Sequence, residues 1–457
     1  MKKQNLIFYY RKCPPRILFV PLLFYNGDAM NDMYRYLSSY LSEEEIEGLR
    51  SEMESGRPPH KGFVANPGRV KKEDLFAAFP SLKEDEGDPV LFRYDPLKDS
   101  PGRTVFHEGG AFYILDPSAA EATHVFKTID EPHLVLDLCA APGGKTISYA
   151  LRNPKSLIVA NDISKPRAET LSKNVERMGL ANTVVTSLDP HVFAERFSAS
   201  FDRIILDAPC SGTGMFRKEE KMKDDWSVEK TEALLPIQKD LLNLAYSLLK
   251  EGGELLYITC SFLKEEDEDQ VASFLKEHPD MKTVRPEPFK DSYREGKLKD
   301  SVHLFPNLFE GEGHFFALLR KDGERAETVF PKGKDPFDEK LGLYKIPYNG
   351  DTYALPYDMR DLMNLRPLRL GLKCTDSYEY AKIQEDHALS HYLKGDIELT
   401  LEQAEAYFRG EELNLGAALK DGTHVVSYRG VSLGFVLKKG RRVRNVLPKG
   451  LRKNLIG

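Results

Sequence analysis

Two thiols and a set of carboxylates stand where apolar runs of this chain give way to polar residues. Asp137-Leu-Cys-Ala-Ala-Pro-Gly-Gly-Lys-Thr146 closes the first run, Asp162 ends the second, Asp189 follows the third and Asp207 ends the fourth. A strand, a glycine turn and a helix together let backbone N–H groups approach a ligand closely. A phosphate loop would require GxxxxGK[ST]. Gly144-Lys145-Thr146 supplies the end of that pattern, but its first glycine would fall on Cys139. A dinucleotide turn would require GxGxxG, and this loop offers only adjacent Gly143 and Gly144. The remaining ligand is a smaller nucleotide without a phosphate tail, S-adenosylmethionine. Asp162 lies 19 residues after Gly143, where a carboxylate can accept ribose hydroxyls. Asp189 suits an adenine amine. A lone strand-end Asp more often caps a helix, but three beside one glycine turn favour ligand binding.

The thiols narrow the methyl acceptor. Cys210 lies in Asp207-Ala-Pro-Cys-Ser-Gly-Thr-Gly214 and Cys260 in Tyr257-Ile-Thr-Cys-Ser261. Amino-group methylation would call for an Asn/Asp-Pro-Pro-aromatic element at the first position. A single free cysteine is usually a small buried hydrophobe; two on the ligand-bearing edge of one sheet suggest chemistry. Pyrimidine C5 is too weak a nucleophile to take a methyl from a sulfonium. A thiolate adding to C6 makes C5 enamine-like, a neighbouring acid at N3 stabilises the developing charge, and a base then removes the C5 proton. Spacing alone lets either thiol attack.

These residues need a parallel sheet beneath them. The runs Leu134–Leu138, Ser156–Ala160, Thr183–Thr186, Arg203–Leu206 and Leu255–Ile258 alternate with amphipathic helices between 117 and 320. That predicts an α/β, doubly wound, mostly parallel Rossmann-like sheet with right-handed crossovers. Upstream, 30–116 reads as a small α+β domain. It opens with helix over 30 to about 55, Ser42–Glu45 forming a capping box. Strands are expected at Val90–Arg93 and Phe112–Leu115. Downstream, a charged Gly/Pro-rich stretch opens a domain over 321–385, and 386–457 forms a last α+β module. Residues 430–457 carry eight Lys or Arg and no acid. Interleaved Val and Phe there suggest a basic β surface for phosphates, with Lys438, Arg441, Arg442 and Arg444 as its contacts.

Composition sets the frame. Of 457 residues, 41% are hydrophobic and 30% charged, and net charge is −6, so any nucleic-acid surface must be local. Five scattered cysteines without a CxxC pair exclude a disulfide framework or zinc ribbon, and no metal is expected. The apolar stretch near residue 20 has only nine uncharged residues and contains Pro21, too short for a membrane span. Residues 1–29 are read as an N-terminal extension and the protein as cytoplasmic. No obligate protein partner is evident, and a monomer is expected.

Several separate motifs carry a resemblance: Phe112–Ser118, Leu136–Thr146, Asn161–Arg167, Asp207–Lys218 followed by Trp226, and Thr259–Ser261. With them the chain resembles the RNA 5-methylcytosine methyltransferases of the Nop/Sun group, and most closely the bacterial RsmF-like ribosomal RNA enzymes. Asn66 and Arg69 match more loosely, and the C-terminus resembles a PUA-like RNA-binding module ending in Leu447–Arg452. The resemblance implies that Cys139, Ala140, Ala141, Pro142, Gly143, Gly144, Lys145, Asp162, Arg167, Asp189 and Asp207 hold S-adenosylmethionine, with Asp207 also touching the base. It makes Cys260 the nucleophile and assigns release of the adduct to Cys210. The family follows its nucleophile with Glu-Asn-Glu, where this chain has Glu266-Asp267-Glu268. The expected function is methylation of cytosine C5 in 16S ribosomal RNA of the small subunit. The competing readings are a transfer RNA enzyme and a non-catalytic ribosome-assembly factor. Intact Asp207, Cys210 and Cys260 argue against the latter.

Overall fold

The computed structural model describes residues 29–338, 342–374, 387–393, 395–415 and 419–455. The expected N-terminal extension lies outside these, apart from Ala29. Helices Ala29–Leu37 and Glu43–Met53 follow. The second is held by the capping box: Ser42 Oγ accepts the Glu45 N–H at 3.3 Å and the Glu45 carboxylate accepts the Ser42 N–H at 2.8 Å. Met33, Leu37 and Leu49 do not pack on the sheet that follows. They bury against Phe216, Phe262 and Phe305 of the central domain.

That first sheet is antiparallel, in the order Lys83–Glu84, Leu91–Tyr94, Lys61–Ala65, Phe112–Ile114. Its core of Phe63, Phe92 and Phe112 continues into Tyr407, Leu433 and Val443 near the C-terminus. Arg69 crosses the same junction, donating to the Ser432 carbonyl at 2.5 Å, and burial pulls its guanidinium down to about 9. The first and last modules therefore share one apolar core despite some 300 intervening residues, so packing crosses the boundaries expected from composition.

The central sheet contains β1 (His133–Asp137), β2 (Ser156–Asn161), β3 (Thr183–Thr186), β4 (Phe201–Asp207), β5 (Leu249–Thr259) and β6 (His314–Lys321). The order is β6-β5-β4-β1-β2-β3; β1 to β5 run parallel, and β6 is antiparallel to β5. Helices α1 (Gly144–Arg152), α2 (Lys165–Met178), α3 (Val228–Leu248) and α4 (Glu268–Glu277) cover it. The doubly wound expectation holds. Leu136, Val159, Ile204 and Leu255 are fully buried, as strands covered on both faces require. Chain order reverses between β1 and β4, so a ligand crevice is expected outside their carboxyl ends. β6 is a strand beyond the five apolar runs.

A further antiparallel sheet comprises Pro336–Asp338, Leu343–Tyr348, Asp351–Leu355 and Leu372–Cys374. Between its last two strands, Arg369–Leu370 adds to the edge of β3. The final sheet is Ile397–Glu398, Gly422–Tyr428, Val431–Lys439 and Arg442–Asn445. Arg441, Arg442 and Arg444 are exposed, with Val443 turned inward between the last two. Lys438 departs from the expected basic surface. Its side chain is 4% exposed, and its ammonium is turned back to the Gly440 carbonyl and Asp421, so it presents no charge to a phosphate. Among the described residues no helix is long and apolar enough to cross a membrane.

Candidate active site

The glycine turn leaves β1 and enters α1 at the sheet's reversal point. Gly143, at φ +113°, precedes the helix; a Cβ there would meet Leu171 Cδ1 at 2.8 Å. The turn is pinned along its length. Ala140 N–H donates to the Asn161 carbonyl at 2.7 Å, Arg167 Nη2 to the Ala141 carbonyl at 2.7 Å, and Asn174 Nδ2 to the Pro142 carbonyl at 2.9 Å. Ala140, Ala141, Gly143 and Gly144 are buried, while Pro142 is exposed. Cys139 lies beneath, where burial pushes its thiol up. Asp137 is buried; its Oδ2 accepts Thr146 Oγ1–H at 2.5 Å. Burial pushes its carboxyl up to about 7.

Asp162 is 2% exposed at the end of β2. Its Oδ1 accepts the Ser164 N–H at 2.9 Å, while its buried Oδ2 has no hydrogen-bond partner. Arg167 Nη1 stands 3.4 Å from that oxygen. Burial pushes the carboxyl up, opposed by Arg167 and by the N–H groups of Ser164 and Ala141. A buried carboxylate oxygen that is ion-paired but carries no hydrogen bond, at a strand end, fits a hydroxyl-bearing ligand. Asp189 is exposed after β3 and uses Oδ1 to cap the Pro190–Phe193 turn at His191 N–H, 3.1 Å away.

Asp207 ends β4. Lys145 Nζ donates to its Oδ2 at 2.8 Å, joining the glycine turn to the thiol-bearing loop. Burial pulls the Lys145 ammonium down, and Asp207 more than offsets this, so the net shift is upward. Cys210 and Cys260 face each other with sulfurs 3.2 Å apart, and Cys260 N–H points at Cys210 Sγ, 3.3 Å away. The Cys210 thiol is held well above the usual range by its hydrogen bond to Cys260 and by burial. Gly214 N–H donates to the Cys260 carbonyl at 2.9 Å. A Cβ on Gly214 would lie 2.8 Å from the Gly313 carbonyl oxygen, so only glycine lets these backbones meet.

Behind the thiols lie buried groups that sequence reasoning missed or left without a role. Thr259 Oγ1 donates to Asp267 at 2.5 Å, and Glu268 faces His303 Nε2 at 2.9 Å. Glu266 accepts the Ser211 N–H at 2.8 Å and Gln238 Nε2 at 3.0 Å. Ser118 Oγ meets His314 Nδ1 at 2.7 Å; burial, with Lys145 and Lys218 nearby, pulls that imidazole well below its usual range. Glu266–Glu268 and Ser118 fall within noticed motifs, but Gln238, His303 and His314 carry no local signal. Of the expected residues, Asp162, Lys145, Asp207, Cys210 and Cys260 lie along the carboxyl edge of the sheet, with Lys145 bonded to Asp207 and Cys210 against Cys260, whereas Asp189 is exposed and engaged in its own cap. Arg441, Arg442 and Arg444 belong to another module.

Comparison with known proteins gives a consistent result. A family model described as "16S rRNA methyltransferase RsmB/F" matches residues 125–320, and one described as "Methyltransferase RsmF PUA domain" matches 394–453. The chain is similar to the ribosomal RNA small subunit methyltransferase F of Shewanella woodyi, 32% identical over 467 residues, covering 93% of this chain and 96% of the relative. It is similar to that of Shewanella sediminis at 32% over 476 residues, covering 94% and 97%. Among solved structures, a methyltransferase homolog protein from Pyrococcus horikoshii has a TM-score of 0.53 at 25% identity, with 64% of this chain and 93% of that one covered. NSun6 from the same organism has a TM-score of 0.57 at 19% identity, covering 64% and 98%, a likeness of fold.

Proposed function

This chain belongs to the RsmB/F family of 16S rRNA methyltransferases, and on that premise we propose that it methylates C5 of a cytosine in small-subunit ribosomal RNA through a covalent cysteine adduct. The observation that carries this reading is the pair of thiols 3.2 Å apart beside Asp207. Base amino-group methylation has no use for two such thiols, whereas C5 methylation has a task for each.

S-adenosylmethionine, when bound, supplies the methyl group taken up at C5. The Oδ2 of Asp162, which carries no hydrogen bond, is the acceptor offered to its ribose, and the pinned 139–145 turn offers backbone to its remainder. Cys260 adds to C6. Asp207 gives a proton to N3 as the charge develops there, and Lys145 stabilises the carboxylate left behind. C5 of the adduct still carries its proton after methylation. Cys210 is the neighbour placed to take that proton; its transfer drives the C5–H electron pair into the ring, breaks the C6–S bond and releases Cys260 as the thiolate. The target base must be unpaired or flipped to reach the thiols.

Nucleoside analysis after incubating 16S RNA or small subunits with methyl-labelled S-adenosylmethionine tests the reading. Label in 5-methylcytidine is expected. Label in an N-methylated base, or in transfer RNA alone, would overturn it.

A further inference from the structure

Cys210 is held by contacts on both of its flanking residues, and those contacts lead to one buried carboxylate. Glu266 is completely buried in the turn before α4. Its Oε1 accepts the Ser211 N–H at 2.8 Å, and its Oε2 accepts Ser211 Oγ–H at 2.5 Å. Gln238 of α3 donates through Nε2 to Glu266 Oε1 at 3.0 Å and to the Pro209 carbonyl at 3.0 Å. The residues before and after Cys210 are thus both fastened to the Glu266–Gln238 pair. No cationic side chain hydrogen-bonds to the carboxylate among the described residues. A buried carboxylate without a cation is costly unless its hydrogen bonds are satisfied. Here that need is met by the loop that carries Cys210 and by Gln238 of α3.

We propose that Glu266, with Gln238, is the positioning residue that fixes the distance between Cys210 and Cys260, and so sets how fast the adduct resolves. The inference rests on the two-thiol reading above. Glu266 does not touch the base; it acts through the Pro209 and Ser211 backbone. Cys260 is tied separately, through Gly214 N–H and the Thr259–Asp267 bond, so loss of Glu266 should displace Cys210 more than Cys260. Attack should then continue while release slows.

The hydrogen-bond pattern supplies a conservative control. The partners at Oε1 are N–H donors, and the partner at Oε2 is the Ser211 hydroxyl, which can rotate to accept. Glutamine can therefore place its oxygen at the first site and its NH₂ at the second without losing a contact. Alanine cannot.

The test uses the full chain with small-subunit RNA and S-adenosylmethionine, comparing parent, Glu266→Ala, Glu266→Gln, Gln238→Ala and Cys210→Ala. Glu266→Ala is expected to lower kcat by about 10²-fold, the scale of an ångström of misplacement. KM for RNA and cofactor affinity should stay near parent, and a protein–RNA adduct should accumulate on denaturing gels. Glu266→Gln should restore most of kcat and clear the adduct. Gln238→Ala, which leaves Glu266 in place, should reproduce the stalled adduct more mildly and carries the test if Glu266→Ala does not fold. Normal turnover in the Glu266→Ala or Gln238→Ala protein would overturn the clamp, as would a Glu266→Gln protein that behaves like the alanine variant. Absence of adduct in Cys210→Ala would instead overturn the thiol assignment, which keeps the two failures separate.

Discussion

Removing the Asp162 carboxylate should weaken S-adenosylmethionine by an amount that its contacts bound. Oδ1 is taken by the Ser164 N–H, leaving Oδ2, ion-paired with Arg167 at 3.4 Å, as the buried acceptor without a hydrogen bond. One hydrogen bond to a charged group contributes about 1.5–3 kcal/mol. At about 1.4 kcal/mol per decade, Asp162→Ala should raise Kd by roughly 10- to 150-fold. Alanine also removes the bond to Ser164 at the start of α2, with a stability loss of about 1 kcal/mol. Asp162→Asn separates the effects, since its carbonyl can still accept from Ser164 while the charged acceptor is gone. Calorimetric titration with S-adenosylmethionine, beside thermal melts, should show weakened binding in both variants and lowered Tm chiefly in alanine. Unchanged Kd in both, with Tm lowered only in alanine, would reduce Asp162 to a loop fastener and refute the cofactor assignment.

Asp137 gives a pH signature. Its folded carboxyl lies at about 7, above the unfolded value near 3.9. The folded state therefore retains a proton that the unfolded chain releases, and stability present below about pH 4 is lost as pH rises towards 7. The loss is bounded at about 4 kcal/mol. Asp137→Asn should escape it, so its urea midpoint should gain on the parent between pH 5 and 8; a constant difference would contradict the shift. Reversing Arg441, Arg442 and Arg444 to Glu should weaken RNA binding and flatten its salt dependence by about 0.7–0.9 per lost phosphate contact, leaving cofactor binding unchanged. Filter binding at several potassium concentrations reads the slope, and an unaltered slope would remove this strand from the RNA account. Lys438 is excluded from that set because its ammonium is enclosed.

The sheet was legible because its strands are covered on both faces and read as continuous apolar runs. Thr183–Thr186 was recovered residue for residue, and β1 and β4 within two residues at either end. β6 is equally apolar but runs straight into the charged Lys321–Asp322 stretch, so its end coincides with a composition boundary that hides it. The crevice acids and thiols were legible because strand ends deliver residues to one edge whatever the loops do. What escaped depends on distant packing. Gln238 reaches the Cys210 loop from α3, and His314 reaches Ser118 across 196 positions of chain. Lys438 was misread because Phe435-Val-Leu-Lys-Lys439 does not alternate, so its inward side could not be deduced. The shared core of the first and last modules has no sequence signature either, since each half reads as an ordinary amphipathic module.

The roles of the two thiols can be separated by trapping. Parent, Cys210→Ala, Cys260→Ala and the double variant would be incubated with small-subunit RNA and S-adenosylmethionine, denatured, and examined for RNA-linked protein by gel and mass spectrometry. The account predicts an adduct in Cys210→Ala, attached through Cys260, and none in Cys260→Ala or the double variant. An adduct that forms in Cys260→Ala and requires Cys210 would contradict it and reverse the two roles.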